Sequence, residues 1–144
     1  LFDIYPTLCE VADVPVDETV EGRSFLALTK GVGPPTRESL FTVYQHSQLA
    51  VRDGRWKLIR FPKIDVTLLF DLKADPLETH DLAADTEHAS TLDRMQALLL
   101  GHQSELADKT PWVAKELGPK QVDLSGRTRK PDRHQPEWIK KKYF

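Results

Sequence analysis

Apolar residues recur at helical spacing near the start of the chain. Over residues 2–12, one face of a helix would carry Ile4, Leu8, Val11 and Ala12. Asp3 stands where a helix N-cap is expected, and Pro6 is tolerated because it falls in the first turn. Three more apolar residues lie off that face: Phe2, Tyr5 and Cys9. The pattern therefore predicts a short helix whose apolar surface is covered on more than one side.

A longer helical pattern runs over residues 86–108. Its single apolar stripe consists of Leu92, Met95, Leu99 and Leu106. Asp85 is placed to cap this helix, and Glu87 lies near the positive end of the helix dipole. We predict a long helix that lays this stripe across a sheet.

Apolar and polar residues alternate between the two helices, in segments 40–45, 49–52, 55–61 and 66–72. The dipeptide Asp53-Gly54 predicts a two-residue hairpin turn in which both residues have positive φ. In the third segment Trp56 and Leu58 should point toward the long helix. The opposite, mixed face would carry Lys57, Ile59 and Phe61. The prediction is an α+β fold, in which a small antiparallel sheet of about four strands is covered by the long helix.

The remaining segments lack a clear period. Residues 13–38 are rich in proline and glycine and should form a connecting loop, with one helical turn at 24–28. Beyond residue 111 the apolar period is lost. Residues 126–144 hold seven basic and two acidic side chains, a local net charge of +5.

Composition narrows the class of protein. With 40% hydrophobic and 29% charged residues and no apolar run near 18 residues, the chain reads as one soluble domain without a membrane span. The single cysteine, Cys9, excludes a disulfide scaffold, and its apolar neighbours predict a buried thiol. The net charge of -2 provides no global field that would attract nucleic acid.

Four sequence blocks, taken in order, resemble the C-terminal portion of the sulfatases, in the alkaline-phosphatase-like superfamily. They are DIYPTL at 3–8, EGRS at 21–24, AVRDGRWKLI at 50–59, and LFDL at 69–72 with DPLE at 75–78. Each block alone is weak evidence for the family, but the four blocks together, in this order and at this spacing, are specific to it. The resemblance implies two parts: the end of an α/β catalytic domain and its connecting loop at 1–38, and the C-terminal subdomain of sheet plus helix at 39–110. The resemblance does not extend to residues 111–144, whose composition predicts a basic extended tail. The short first helix would then belong to the end of that catalytic domain.

The resemblance also implies a parent enzyme that hydrolyses sulfuric esters of a small molecule or carbohydrate. Such enzymes use a formylglycine, made from the Cys or Ser of a C/S-x-P/A-S/A-R motif, and a calcium ion held by Asp and Asn. This chain has neither that motif nor any asparagine, and Cys9 is followed by Glu10. We expect no catalytic residue and no metal ligand here, and no sulfatase activity of the chain by itself.

The segment at 44–48 is the candidate substrate-binding site. In the resembled architecture, the turn between the first two strands lies near the catalytic cleft. Tyr44, Gln45 and His46 could therefore line a substrate subsite, and His46 could contact a sulfated sugar. The alternative is a solvated turn.

Two polar clusters carry weaker alternatives. Asp75, Glu78, His80, Asp81 and His88 could form a metal site, although carboxylates at a strand-to-helix turn more often cap helices and order loops. His102 and Glu105 lie three apart on one helical face, and a surface contact is the favoured interpretation.

A second class of function rests on the basic residues. Arg52, Arg55, Lys57 and Arg60 could form a ridge that attracts a sulfated polymer. In the tail, basic residues alternate with Trp138, Tyr143 and Phe144. The chain would then be a noncatalytic binding module for anionic polymer. The alternatives are a solvated sheet face and a tail whose aromatic residues, Trp112 among them, pack on the parent domain.

The first helix also predicts how the chain associates with other protein domains. If it packs on a catalytic domain in the parent enzyme, its apolar surface is uncovered in this chain alone, and we expect a homodimer or a swapped helix. Polymer-degrading sulfatases are commonly exported, so the resemblance is compatible with a periplasmic or extracellular parent.

Overall fold

The computed structural model describes residues 2–121, 123 and 130–143. In chain order the elements are α1 (Ile4–Val11), α2 (Leu26–Thr29), β1 (Leu40–Tyr44), β2 (Gln48–Arg52), β3 (Trp56–Phe61), β4 (Val66–Asp71), a 3-10 helix (Thr86–His88), α3 (Ala89–Glu105) and α4 (Glu137–Tyr143). The predicted α+β fold is confirmed.

The four strands form one antiparallel sheet in the order β1-β2-β3-β4. Val51 on β2 lies opposite Leu58 on β3, and Leu58 lies opposite Leu69 on β4. These three side chains are fully buried. Alternation along the strands therefore set the register, because a slip by one residue would move each of them to the other face.

The main core lies between this face of the sheet and α3. Its buried members are Leu49, Val51, Trp56, Leu58, Leu69, Met95 and Leu99. Trp56 is a core aromatic residue packed with the long helix, as predicted. The opposite face is mixed, as predicted, because Arg52 and Lys57 lie in register beside an apolar cluster of Ala50, Ile59 and Phe70.

The end of α3 corrects the predicted stripe. Leu106 follows the last helical residue and is 61% exposed, whereas Gln103 is buried in its place. The helix stops because Ala107 has φ 51°, and the Asp108 N–H returns to the Gln103 carbonyl at 2.9 Å. This Schellman-type ending takes the chain off the helical path before Leu106 can reach the core.

The start of the same helical segment agrees with the prediction. The Asp85 carboxylate accepts the Glu87 N–H at 2.9 Å and caps the 3-10 helix that leads into α3. An aspartate at this position satisfies a backbone donor that has no partner inside the helix.

The β2–β3 turn differs from the predicted two-residue form. Asp53 and Gly54 do not have positive φ. Instead the Asp53 carboxylate accepts the backbone N–H groups of Arg55 at 2.7 Å and Trp56 at 2.6 Å. The Asp53 N–H also donates to the Trp56 carbonyl at 3.0 Å. The aspartate side chain closes a wider turn, so positive φ is not needed.

Helix α1 is held by the loop that follows it. Asp3 lies at the N-cap position but makes no side-chain cap, contrary to the prediction. Its carboxylate accepts the Arg23 N–H at 2.8 Å and pairs with the Arg37 guanidinium. The Thr7 hydroxyl accepts the Phe25 N–H at 3.1 Å. The carboxylate thus ties the loop to the helix.

The other face of α1 is uncovered. Cys9 is buried, as predicted, but the exposed apolar residues are Phe2, Ile4, Tyr5, Leu8 and Val11. Phe2 is 78% exposed and Leu8 is 60% exposed. These five residues, which are the stripe of Ile4, Leu8 and Val11 together with Phe2 and Tyr5 outside that stripe, are called the α1 apolar face below.

No helix in the described part of the chain is both long and apolar enough to cross a bilayer. Within the predicted basic tail, residues 137–143 form the short helix α4.

Candidate functional site

The candidate residues Tyr44, Gln45 and His46 lie at the end of β1 and in the turn to β2, and all three are exposed. Gln45 and His46 have φ of 46° and 52°, and the Ser47 N–H donates to the Tyr44 carbonyl at 2.9 Å. Two adjacent residues other than glycine in the left-handed region are costly, and such strain is concentrated at functional sites. The structure brings the three residues together at one end of the sheet.

His46 is tied to the segment that follows α3. Its Nδ1 lies 2.8 Å from the hydroxyl oxygen of Thr110, which is buried. The Thr110 N–H donates to Asp108 Oδ1 at 2.6 Å, and the buried Gln103 side chain donates to the Thr110 carbonyl at 2.9 Å. His46 is therefore the exposed end of a chain of polar groups that starts inside the fold.

The Asp108 carboxylate is the charged member of this chain. Burial raises the pKa of this carboxyl, but the hydrogen bonds from Thr110 and Gln103, together with the charge of His46, lower the pKa below its usual value of 3.8. Asp108 is thus ionised at neutral pH, and its charge lies near the imidazole.

Sequence reasoning missed Gln103, Asp108 and Thr110. His46 and Thr110 are 64 positions apart, and nothing in their local sequence indicates that they meet. The one available signal is the break in the stripe of α3 after Leu99, where Gln103 replaces an apolar residue. A buried amide needs partners, and its partners are the residues that hold His46.

The acidic and histidine-rich cluster orders turns. Asp75 accepts the N–H groups of Thr79 at 2.6 Å and His80 at 2.8 Å. Asp81 accepts the Leu69 N–H at 3.0 Å, which satisfies a donor at the open edge of β4. Glu78 pairs with Lys57, and the His88 ring contacts Trp56.

His102 and Glu105 make a contact with each other on one face of α3, as the sequence predicts. Their Nδ1 and Oε2 atoms lie 3.5 Å apart. The other ring nitrogen of His102 is 2.7 Å from the Ser39 hydroxyl, and the ring stacks on Phe41.

Three of the four residues proposed as a basic ridge form ion pairs with acidic residues of the sheet and its loops. Arg55 pairs with Asp71 at 2.6 Å, and Lys57 pairs with Glu78 at 2.6 Å. Arg60 is buried, where it pairs with Asp65 and donates to the Trp112 carbonyl at 2.8 Å. Arg52 is exposed, and its side chain makes no hydrogen bond or ion pair with another described residue.

In the tail, Trp138 is exposed and Lys140 pairs with Glu137 at 2.8 Å. Trp112 packs against the main core and stacks under Arg60. Arg127, Arg129, Phe144 and the side chain of Tyr143 lie outside the described residues.

The residues that the structure describes do not fit the formylglycine or the calcium ion that the resemblance to sulfatases implies. Among the residues described by the structure, no group of three or more His, Cys, Asp or Glu side chains could hold a metal ion. Cys9, the single cysteine, is buried and has none of the motif that becomes formylglycine around it. No chemical step can therefore be assigned to either group on this chain.

Comparison with known proteins gives a consistent result. Residues 2–105 match the family model described as "N-sulphoglucosamine sulphohydrolase, C-terminal". The chain is 33% identical over 87 residues to a choline-sulfatase of Rhizobium meliloti (strain 1021), a match that spans 56% of the chain. It is 32% identical over 109 residues to arylsulfatase K of Bos taurus, a match that spans 65% of the chain.

A solved structure agrees in shape as well. BT4656 in complex with its substrate D-glucosamine-2-N,6-O-disulfate superposes with a TM-score of 0.63 at 26% identity over 76% of this chain. The matched region is 25% of that structure, and it is 17% and 20% of the two curated relatives. The chain spans about a sixth to a quarter of the length of the proteins that it matches.

Proposed function

Because this chain belongs to the family of N-sulphoglucosamine sulphohydrolase C-terminal domains, we propose that it is the C-terminal subdomain of a sulfuric-ester hydrolase. It supports the fold of that enzyme and forms part of the rim of its substrate cleft. The substrate is a sulfated small molecule or carbohydrate.

The observation that carries this proposal is the α1 apolar face. Asp3 and Thr7 bind α1 to the loop behind it, so the helix is fixed while its other side is open. Five large apolar residues on one short segment form a patch of the kind that marks an interface. The occupant we propose is the α/β catalytic domain that makes up most of the related enzymes.

The catalytic groups belong to that other domain. We propose that it carries the formylglycine and the calcium ion, since the described residues of this chain include no metal-binding cluster and its sequence lacks the formylglycine motif. Positioned nucleophiles and cations supply most of the rate acceleration in such reactions. The chain alone should therefore be inactive.

The rim consists of Tyr44, Gln45 and His46. Their phenol, amide and imidazole groups offer both donors and acceptors to the hydroxyl groups of a sugar. All three are exposed, and the contact with Thr110 holds His46 in place. They are substrate-binding residues in this proposal, not catalytic ones.

An activity assay tests the proposal. The complete gene product and the 144-residue chain are each incubated with 4-nitrophenyl sulfate, choline sulfate and D-glucosamine-2-N,6-O-disulfate, and released sulfate is measured. We expect the complete product to hydrolyse at least one ester and the chain to hydrolyse none. Turnover by the purified chain, or no turnover of any sulfate ester by the complete product, would contradict the proposal.

A further inference from the structure

The polar chain behind His46 has a consequence for recognition. Resting on the proposed function, we propose that Asp108 and Thr110 are positioning residues that hold His46 with its proton on Nδ1. The outward Nε2 atom then accepts a hydrogen bond from a hydroxyl or N–H group of a sulfated sugar.

The Thr110 hydroxyl has a single proton to donate. A hydroxyl beside an ionised carboxylate donates to it, because hydrogen bonds to a charged acceptor are the stronger ones. The Thr110 N–H donates to Asp108 Oδ1 at 2.6 Å, which places the hydroxyl of the same residue near the carboxylate, and the Thr110 side chain is among the groups that lower the pKa of that carboxyl. When that proton points to Asp108, the hydroxyl oxygen can only accept from His46 Nδ1, 2.8 Å away.

The charge of Asp108 acts in the same direction. A negative charge near an imidazole favours the proton on the nitrogen that faces it, and Nδ1 is the nitrogen that contacts Thr110, whose N–H donates to Asp108. A neutral imidazole with a proton on Nδ1 has a bare Nε2. That atom needs a donor, which a sugar hydroxyl or the N–H of a sulfamate provides and an aryl sulfate does not.

The arrangement is rigid at both ends. Thr110 is buried and fixed through its N–H by Asp108 and through its carbonyl by Gln103. His46 is fixed by a turn whose two central residues have positive φ. A site held by buried partners keeps its geometry without paying an ordering cost when ligand binds.

The first test is the tautomer of His46 in the 144-residue chain. Long-range ¹H–¹⁵N correlation spectra at about pH 8.5, two units above the ordinary histidine pKa of about 6.5, distinguish the two neutral forms. We expect the Nδ1–H form in the wild type and in Thr110→Ser, and a shift toward Nε2–H in Thr110→Val. Ser39→Ala, which removes a similar contact from His102, should leave His46 unchanged.

The wild-type spectrum decides this test even if Thr110→Val does not fold. A His46 with its proton on Nε2 would overturn the assignment. A tautomer that is the same in wild type and a folded Thr110→Val would overturn it as well.

The second test is sugar recognition by the complete gene product. D-glucosamine-2-N,6-O-disulfate is used as a competitor of 4-nitrophenyl sulfate hydrolysis. Thr110→Val should raise the inhibition constant about tenfold, and Thr110→Ser should restore the wild-type value.

The outcomes separate this inference from the proposed function. Hydrolysis of the aryl sulfate with an unchanged inhibition constant, or no inhibition of the wild type, would overturn the inference and leave the proposed function standing. Failure of the complete product to hydrolyse any sulfate ester would overturn the proposed function. The tautomer of His46 measured in the 144-residue chain would still test whether Thr110 positions His46.

Discussion

Gly22 lies in the connecting loop, against Phe2 and against Pro6 of α1. A Cβ atom at this position would lie 2.1 Å from the Phe2 carbonyl oxygen and 3.1 Å from Pro6 Cγ. Neither atom can move without shifting the helix that carries the α1 apolar face. The need for glycine in the EGRS block is therefore steric.

Gly22→Ala should lower the free energy of unfolding by about 1–3 kcal/mol, the range for forced overpacking. Gly54→Ala is the control, because nothing lies within 4 Å of its added Cβ and its φ is not positive. The control should change stability by less than about 1 kcal/mol. Urea unfolding of both variants measures the difference, and equal effects would contradict the steric account.

Asp71 joins the end of β4 to the β2–β3 turn. The Arg55 guanidinium beside it lowers the pKa of this carboxyl from 3.8 to about 2, and the N–H groups of Lys73 and Ala74 act in the same direction. A carboxyl whose pKa is depressed by folding stabilises the fold above its unfolded pKa, and this contribution is lost as the pH falls through the folded pKa.

Asp71→Asn should therefore lower the urea midpoint at pH 7, and its difference from the wild type should shrink between about pH 3.8 and pH 2. Asp93→Asn is the matched control, because Asp93 is exposed on α3 and its side chain makes no hydrogen bond or ion pair with another described residue. A difference that stays constant with pH would show that Asp71 acts through shape and not through charge.

At the scale of the elements, alternation and helical spacing predicted each strand and both main helices to within a few residues. They did so because each element buries one face, and burial sets the period. The end of α3 escaped prediction because it depends on Ala107, an alanine in a conformation that glycine usually adopts. The wide β2–β3 turn was not predicted, because the Asp53 carboxylate accepts the backbone N–H groups of the turn and positive φ is not needed.

The corrected end of α3 gives a direct comparison. Leu99→Ala should cost about 2.7–5 kcal/mol, because Leu99 is fully buried and its truncation leaves a cavity. Leu106→Ala should cost less than about 0.5 kcal/mol, because its side chain is exposed. Chemical denaturation of both variants measures the two losses of stability. A large loss of stability for Leu106→Ala would show that Leu106 belongs to the buried stripe of α3.

The site could be predicted in part. The position of Tyr44, Gln45 and His46 in a turn followed from local sequence. The contact between His46 and Thr110 could not be predicted in this way, because the two residues lie in loops that are 64 positions apart in the sequence. Sequence patterns report burial along one element, and a polar contact between two loops leaves no such period.

At the scale of the whole molecule, the chain has a complete core under α3 and an incomplete surface on α1. The proposed explanation is a larger neighbour, since the related proteins are four to six times longer than the matched region. In its absence the α1 apolar face should drive self-association. Light scattering should show dimers of the wild-type chain and fewer dimers of Leu8→Glu. Leu77→Glu, at another exposed leucine, should behave as the wild type.

The central claim is that the α1 apolar face docks on a catalytic domain. Hydrogen exchange of the α1 amides, compared between the dilute monomeric chain and the complete gene product, tests it most directly. An eight-residue helix open on one side frays, so fast exchange is expected in the chain, and docking should slow it at least tenfold in the complete product. Amides of α3 serve as the internal reference and should be protected in both. Equal exchange of α1 in the two proteins would contradict the account.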